Sequence, residues 1–498
     1  MNNFLFLPPA LYPVYDHASD LALHLAEQSP LNLVHVNHLR FNFAFDNIFS
    51  NIFRFESFLK QNSLSTLLGD SVIHHFPELS FPPIYNYRSD LKHRAFQAAL
   101  NTVSSHYKDT SLQPYGRYSR QIRNSYIDYL CYYYFCQQSI SSLSDPTLYI
   151  FNTRIAPYRA VYDFCLDYHI PFYSYEYPPH GKKRYLLLAN QPIHDFPARA
   201  AHLSKLALNH PLSLSRKLRF GKQWLAKRST SRHGFEVNYA LAQNNKDIES
   251  FLPSDFKNKK VILCINSSEW EWSALPQSRT NIFGSQLLAL SWIVQEYLPT
   301  DPSLHLVLRF HPSYATKDTR YYSILSAHLL SLNSTQVTII PPSSPLNTGE
   351  LAINSHLVLS FYSSLAPELS SMGLPVISLG PSNFQDLQCI PSATSLEEFI
   401  SLLNTALYNP ESLRQDPSRS LLFFFSRSFQ GTKPKYLFYD KHQLPRLSNK
   451  YCSQPLYSPH LLILSLRVIR IALISIFTFR IFSLKHLRNI RQLFSFNV

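Results

Sequence analysis

Acidic residues and glycine are both scarce: 32 Asp and Glu face 46 Lys and Arg, and only 10 Gly occur among 498 residues. The resulting formal charge of +14 calls for an anionic partner, with nucleotide phosphates, anionic lipid and nucleic acid as the classes to weigh. Six cysteines (Cys131, Cys136, Cys165, Cys264, Cys389, Cys452) form no CxxC pair. That argues against a zinc site and a disulfide framework, and for a reduced, cytoplasmic interior. The opening MNNFLFLPPALYP lacks a basic leader, and Pro8 and Pro9 interrupt its apolar run, so no signal peptide is expected. No convincing Asp-x-Asp ends a strand pattern, so neither a catalytic metal nor a cofactor is expected. No nucleic-acid module is recognisable, and no basic helix carries base-reading side chains at a suitable spacing, so nucleic acid is not expected as a partner.

What is present suits packed cores: 45% hydrophobic and 14% aromatic residues. The length exceeds one ordinary core and predicts two domains plus a tail. FLFL (4–7), DHASDLALHLAEQ and LNLVHV (31–36) read as strand, helix, strand, and residues 147–177 repeat that order. The stretch 40–145 reads mostly helical, and SYIDYLCYYYFCQQ within it reads as a tyrosine-rich buried helix rather than a sugar-stacking surface. A second alternation begins at KKVILCINSSEWEW (259–272) and continues through HLVLRFHPS, QVTIIPP, HLVLSFYSS and LPVISLG. Together these predict an α/β protein with two Rossmann-like, doubly wound domains. The expected boundaries are 1–198 for the first α/β domain, 199–256 for a basic helical connector, 257–410 for the second domain, 411–458 for a return segment and 459–498 for the tail. Between residues 199 and 235 no acidic residue occurs. That connector is either a solvated face or a phosphate contact.

Ligands of open parallel sheets bind beyond the carboxyl ends of the strands. His311 ends a strand as RFHP, where Pro312 biases it to extended geometry. There an imidazole can donate to a phosphate oxygen or protonate a leaving group. Ser363 and Ser364 sit between a strand and the helix APELSSMG, where they either cap the helix or hold an anion. Glu368, four residues after Ser364, needs a partner if buried, and a ribose diol or a core arginine would serve. In the first half Asp16, His17 and Glu176 each follow a predicted strand. They are candidate bases, with capping or solvation as the ordinary alternative.

RFHPS, followed roughly fifty residues later by SFYSSLAPELSSMGLPVISLG, resembles the donor half of two-domain GT-B glycosyltransferases. The pattern is closest to the bacterial capsule polysaccharide synthesis family with its Kdo-transferase-like members. The resemblance implies that His311, Ser363 and Ser364 contact the donor phosphate and Glu368 the nucleoside. YIFNTR (149–154) resembles that family's Asn-x-Arg strand end, which adds Asn152 and Arg154. YSYEYPPHGKKRY resembles a strand leading to a glutamate, here Glu176. NSSEWEW resembles its Ser-Ser-x-x-Glu loop, here Ser267, Ser268 and Glu271. The first strand's loop lacks the glycine common in GT-B enzymes, and Arg309 matches nothing in the pattern and is expected to pair with a nearby carboxylate.

The function this implies is metal-independent glycosyl transfer from a nucleotide-sugar donor to a surface or capsular polysaccharide or a lipid-linked acceptor. The alternatives are a nucleotide-sugar epimerase of the same fold and a non-catalytic envelope-assembly protein. The tail 459–498 has no acidic residue, and only nine uncharged residues separate Arg470 from Arg480, short of the ~20 that span a bilayer. On a helical wheel Arg467, Arg470, Arg480, Lys485, Arg488 and Arg491 share an arc of roughly 140°. The tail is expected to lie on an anionic membrane surface, or else to pack across both domains with its basic face in solvent. The expected location is cytoplasmic, peripheral on the inner face of the cytoplasmic membrane.

Overall fold

A computed structural model describes residues 2–7, 15–36, 68, 72–75, 88–107, 116–176, 184–230, 255–267, 269, 282–312, 314, 320–332, 334–380, 382–413, 415–435, 437–439 and 445–447. The tail 459–498 lies outside them, as do Ser268, Glu271 and the side chains of Asp16 and His17. The protein is a mixed α/β protein whose larger sheets hold six and five strands, and its chain divides into two compact units.

The first unit comprises Met1–Pro77 and Pro434–Val498. It contains β1 (Asn2–Leu7), α1 (Tyr15–Ala26), β2 (Leu31–His35) and β3 (Val72–His75), with β1–β2 and β2–β3 both parallel. The apolar run Phe4 to Leu7 is buried throughout, which is what a strand covered on both faces requires. β3 falls in the stretch read from sequence as helical. Four residues, Val72 to His75, are too few to carry a period, and their pairing with β2 decides the conformation. The Lys435 backbone N–H donates to Asp20 Oδ2 at 3.0 Å and its ammonium to Glu27 Oε2 at 3.0 Å, which anchors the returning chain on α1.

The second unit, Glu78–Lys433, carries the rest. Helices α2 (Ser89–Tyr107) and α3 (Ser119–Ser139) precede β4 (Pro146–Phe151), α4 (Ala156–Asp167), β5 (Phe172–Glu176) and β6 (Leu186–Ala189). β4 and β5 are parallel, and β6 returns antiparallel. The tyrosines of α3 are structural: Tyr129 and Tyr132 are fully buried, Tyr129 donates to Asp163, and Tyr133 donates to Asp167 on α4.

Helices α5 (Phe196–Asn209) and α6 (Leu214–Thr230) lead into the five-stranded sheet. Its elements are β7 (Lys260–Ile265), α7 (Gln286–Trp292), β8 (Leu304–Arg309), α8 (Arg320–Ser331), β9 (Val337–Ile340), α9 (Thr348–Ile353), β10 (Leu357–Ser360), α10 (Ala366–Ser371) and β11 (Val376–Ser378). All its strands are parallel, in the order β11-β10-β7-β8-β9. The chain therefore winds one way from β7 to β9, then crosses back to β10 and β11, which is the doubly wound arrangement. Helices α11 (Leu396–Tyr408) and α12 (Pro417–Phe429) complete the unit.

Within this unit α6 packs closely on α12. Trp224 stacks on Phe424 at 5.0 Å, and a Cβ on Gly221 would meet the Leu421 carbonyl oxygen at 2.1 Å. Gly221→Ala is therefore expected to destabilise the protein by about 1–3 kcal/mol, read as a lower urea midpoint. An unchanged midpoint would mean that the helices separate without cost.

Candidate functional site

The loops that leave β7 and β8 are tied together at neighbouring strand ends. Asn266, fully buried after β7, accepts the His311 backbone N–H on Oδ1 at 2.6 Å and donates its own N–H to Arg309 O at 3.3 Å. Ser267 exchanges two hydrogen bonds with the Gln286 amide, and Tyr314 donates its hydroxyl to Ser267 O at 3.2 Å. These bonds hold His311 and Ser267 side by side just beyond the sheet. Asn266 Nδ2 and Ser267 Oγ are buried yet have no hydrogen-bond partner among the described residues. Such unused capacity in a native site calls for an explanation, and a bound polar ligand is one.

On the other side of β7, the turn after β10 is strained. Tyr362 adopts φ 61° although it is neither Gly nor Asn, a conformation that clusters at ligand sites. Ser363 donates its N–H to Ser360 Oγ, and its own Oγ accepts the Leu365 N–H at 3.2 Å. The turn-forming role of Ser363 is thus realised, while its hydroxyl proton is left to donate elsewhere. α10 has only six residues and no side-chain cap, so its dipole is small and side chains must supply any anion contact. The order β10-β7-β8 places Ser363 and Ser364, Asn266 and Ser267, and His311 on three adjacent strand ends, and the winding reverses between β7 and β10. Open α/β sheets bind ligands at such a reversal.

Arg309 corrects the sequence expectation. It is 1% exposed, and among the described residues no carboxylate pairs with it. Its guanidinium instead donates to Pro341 O at 2.5 Å and Ser344 O at 2.9 Å, which fixes the loop after β9, while Nε stays unpartnered. Burial without a counter-charge pushes its pKa down to about 10. Arg309 is thus a fixed positive charge at the carboxyl end of β8.

A second polar cluster caps β4 and β5. Asn152 and Thr153, both just past β4, have φ 60° and 39°, so two successive non-glycine residues are left-handed. This turn aims the Asn152 side chain at two partners. Its Nδ2 donates to Glu176 Oε2 at 2.5 Å and to His194 Nε2 at 3.0 Å, and His194 Nε2 lies 3.8 Å from Glu176 Oε2. Because Nε2 accepts, the proton of the neutral ring belongs on Nδ1. Asn152 Oδ1 and Thr153 Oγ1 are buried without partners among the described residues. Burial first, then the Arg154 guanidinium, lower the His194 pKa to about 4, against the opposing pull of Glu176.

That shift has a consequence for stability. Between pH 6.5 and about 4 the unfolded chain protonates this histidine and the folded chain does not, so stability falls as pH drops through that window. The loss amounts to at most about 3 kcal/mol, given that the ring remains partly exposed. Urea unfolding followed from pH 7 to pH 4 should show this slope, and His194→Gln should flatten it. An unchanged slope would assign the acid sensitivity to other groups.

The two clusters meet through one aromatic contact. Phe196, two residues after His194, stacks on Tyr362 with ring centroids 5.4 Å apart and planes at 12°. The segment holding His194 is thereby pinned to the turn holding Ser363 and Ser364. Glu269 adds to the same region: it accepts the Gln286 N–H, and burial together with Glu269 pushes the Tyr362 hydroxyl pKa up.

Of the residues read from sequence, Ser267, His311, Ser363 and Ser364 come together at adjacent strand ends. Glu176 and Asn152 bond directly, and Arg154 acts on His194 electrostatically. Glu368 lies on α10, half-buried rather than enclosed. His194, Glu269 and Tyr362 were missed. His194 had one signal, its place directly before the Asp-Phe-Pro that starts α5 with an Asp cap. Among the described residues no three His, Cys, Asp or Glu gather in a group able to hold a metal ion.

Fold and site together define a doubly wound α/β protein with a polar ligand edge at a topological reversal. No protein-family model matches the chain, and no curated protein sequence matches it. Among solved structures it is similar to the Thermosulfurimonas dismutans KpsC beta Kdo 2,4 transferase, at 13% identity over 65% of this chain and 87% of that one, with TM-score 0.35. It is also similar to the Neisseria meningitidis UDP-GlcNAc 2-epimerase bound to UDP-GlcNAc, at 14% identity over 86% and 98%, with TM-score 0.24. A third is WaaG, a glycosyltransferase involved in lipopolysaccharide biosynthesis, at 12% identity over 86% and 95%, with TM-score 0.25.

Proposed function

We propose that the protein transfers a sugar from a nucleotide-sugar donor to a surface polysaccharide or lipid-linked acceptor. The observation that carries this reading is the Phe196–Tyr362 stack, which joins a proton-accepting cluster to a row of hydrogen-bond donors at adjacent strand ends. Glycosyl transfer needs both parts: a base for the acceptor hydroxyl and donors for the departing phosphate. His311, Ser363 and Ser364 take the phosphate side, with Asn266 Nδ2 and Ser267 Oγ as further donors. Glu368, with Ser268 and Glu271 of the loop after β7, takes the nucleoside. The Glu176 carboxylate accepts the acceptor's proton as the acceptor oxygen bonds to the anomeric carbon and the bond from that carbon to the phosphate oxygen breaks, and Asn152, itself bonded to the neutral His194 ring, holds that carboxylate in place. Asp16 and His17 are secondary candidates for the base. In this reading residues 1–198 serve the acceptor and 257–410 the donor, with no metal or cofactor taking part.

The test incubates the purified full-length chain with UDP-, CMP-, CDP- and GDP-sugars, with and without acceptor glycans. Nucleotide release that requires acceptor is the expected result. Acceptor-independent isomerisation of the sugar would replace the reading with an epimerase. Absence of nucleotide binding by calorimetry would leave a non-catalytic assembly role.

A further inference from the structure

The run between Asp195 and Glu236 contains no acidic residue. Its first part forms α5 and α6, joined by the short turn 210–213. One side of each helix is buried. Leu203 and Ala207 of α5 and Trp224 of α6 are buried in one core cluster with β7 and α12. The buried Lys217 donates its ammonium to Ala207 O at 2.7 Å and Leu208 O at 3.1 Å, which closes the carboxyl end of α5 and locks the turn.

The turn itself is different. Leu208 is 65% exposed and Leu214 is 59% exposed, one on each side of the turn. Lys205, Arg216, Arg219 and Lys222 are exposed and have no ion-pair partner among the described residues. On a helical wheel Arg216, Arg219 and Lys222 lie on the side of α6 away from Gly221 and Trp224, the face that packs on α12. Two exposed leucines flanking one turn, with exposed cations on the helices either side of it, match the boundary between acyl chains and anionic headgroups. They do not match a protein groove, where exposed cations at this density would need acidic partners.

We propose that the turn between α5 and α6 docks the protein on a bilayer that contains anionic phospholipid, with Leu208 and Leu214 entering the interface and Lys205, Arg216, Arg219 and Lys222 contacting headgroups. α5 then runs from the membrane to the candidate site, since its first residue is Phe196. Fourteen residues at 1.5 Å rise give about 20 Å, the reach from a membrane-held acceptor to the Tyr362 turn. Docking itself does not depend on the proposed reaction.

The test is hydrogen exchange of the full-length chain with vesicles of phosphatidylcholine alone or mixed with phosphatidylglycerol. Exchange is a local readout, so binding by the separate segment 459–498 cannot mimic it. The expected result is about tenfold slower exchange of amides 208–216 with the mixed vesicles only, weakened by salt and abolished in the K205E/R216E/R219E and Leu208→Ser/Leu214→Ser variants. Equal protection by soluble polyphosphate would overturn the proposal in favour of a polyanion site. Unprotected amides 208–216 in protein that pellets with the vesicles would overturn it in favour of another anchor, and failure to pellet would overturn it outright. Because the substituted side chains are exposed, loss of folding is checked by unchanged exchange elsewhere.

Discussion

His311→Ala is expected to lower kcat/KM for the nucleotide-sugar donor by roughly 10²–10⁴-fold, with little change in stability. The backbone at this position is held independently of the imidazole. Asn266 Oδ1 accepts the His311 N–H at 2.6 Å, and His311 O accepts the Tyr314 N–H at 3.1 Å. Removing the ring therefore removes its hydrogen-bonding and proton-donating capacity without freeing the loop. His311→Gln separates the two contributions, because an amide donates a hydrogen bond but supplies no proton near neutral pH. Partial rescue by glutamine would make the residue a phosphate contact, and equal loss in both variants would make it an acid for the leaving group. Wild-type turnover in His311→Ala would remove it from the site.

The second sheet was largely legible in the sequence. Its strands are mostly apolar runs that stop at polar residues, because β7, β8, β10 and β11 are covered on both faces, while the edge strand β9 is only half-buried. The same rule made Ser267, His311 and Ser363 visible, since strand ends are where such sheets expose chemistry. What escaped depended on backbone geometry or on distant partners. The left-handed Asn152 and Thr153 cannot be read from their residue types, although that turn is what aims Asn152 at Glu176 and His194. His194 joins the site through its bond with Asn152, 42 positions away in sequence, and through the packing of the nearby Phe196 on Tyr362, 166 positions from Phe196. Arg309 looked like half of an ion pair because buried arginines usually need one. Two backbone carbonyls after β9 meet that need here instead.

Glu176→Gln is expected to reduce transfer at saturating donor by roughly 10²–10⁴-fold while leaving donor affinity nearly unchanged. Glutamine keeps an oxygen that can accept from Asn152 Nδ2, so the cluster's geometry survives, but it cannot take a proton from the acceptor hydroxyl. Calorimetry with the nucleotide alone checks the binding half of the prediction, and the loops after β7, β8 and β10 are untouched by the substitution. His194→Gln has a smaller expected effect, since His194 acts on Glu176 through the shared Asn152 amide rather than on substrate. The double variant decides whether the two work as a unit. Groups that act together lose little more when both are removed than when the more important one is removed alone. If the double variant instead shows the product of the two single losses, Glu176 and His194 act independently and the Asn152 bridge is only structural. Transfer that persists in Glu176→Gln would move the base to Asp16 or His17.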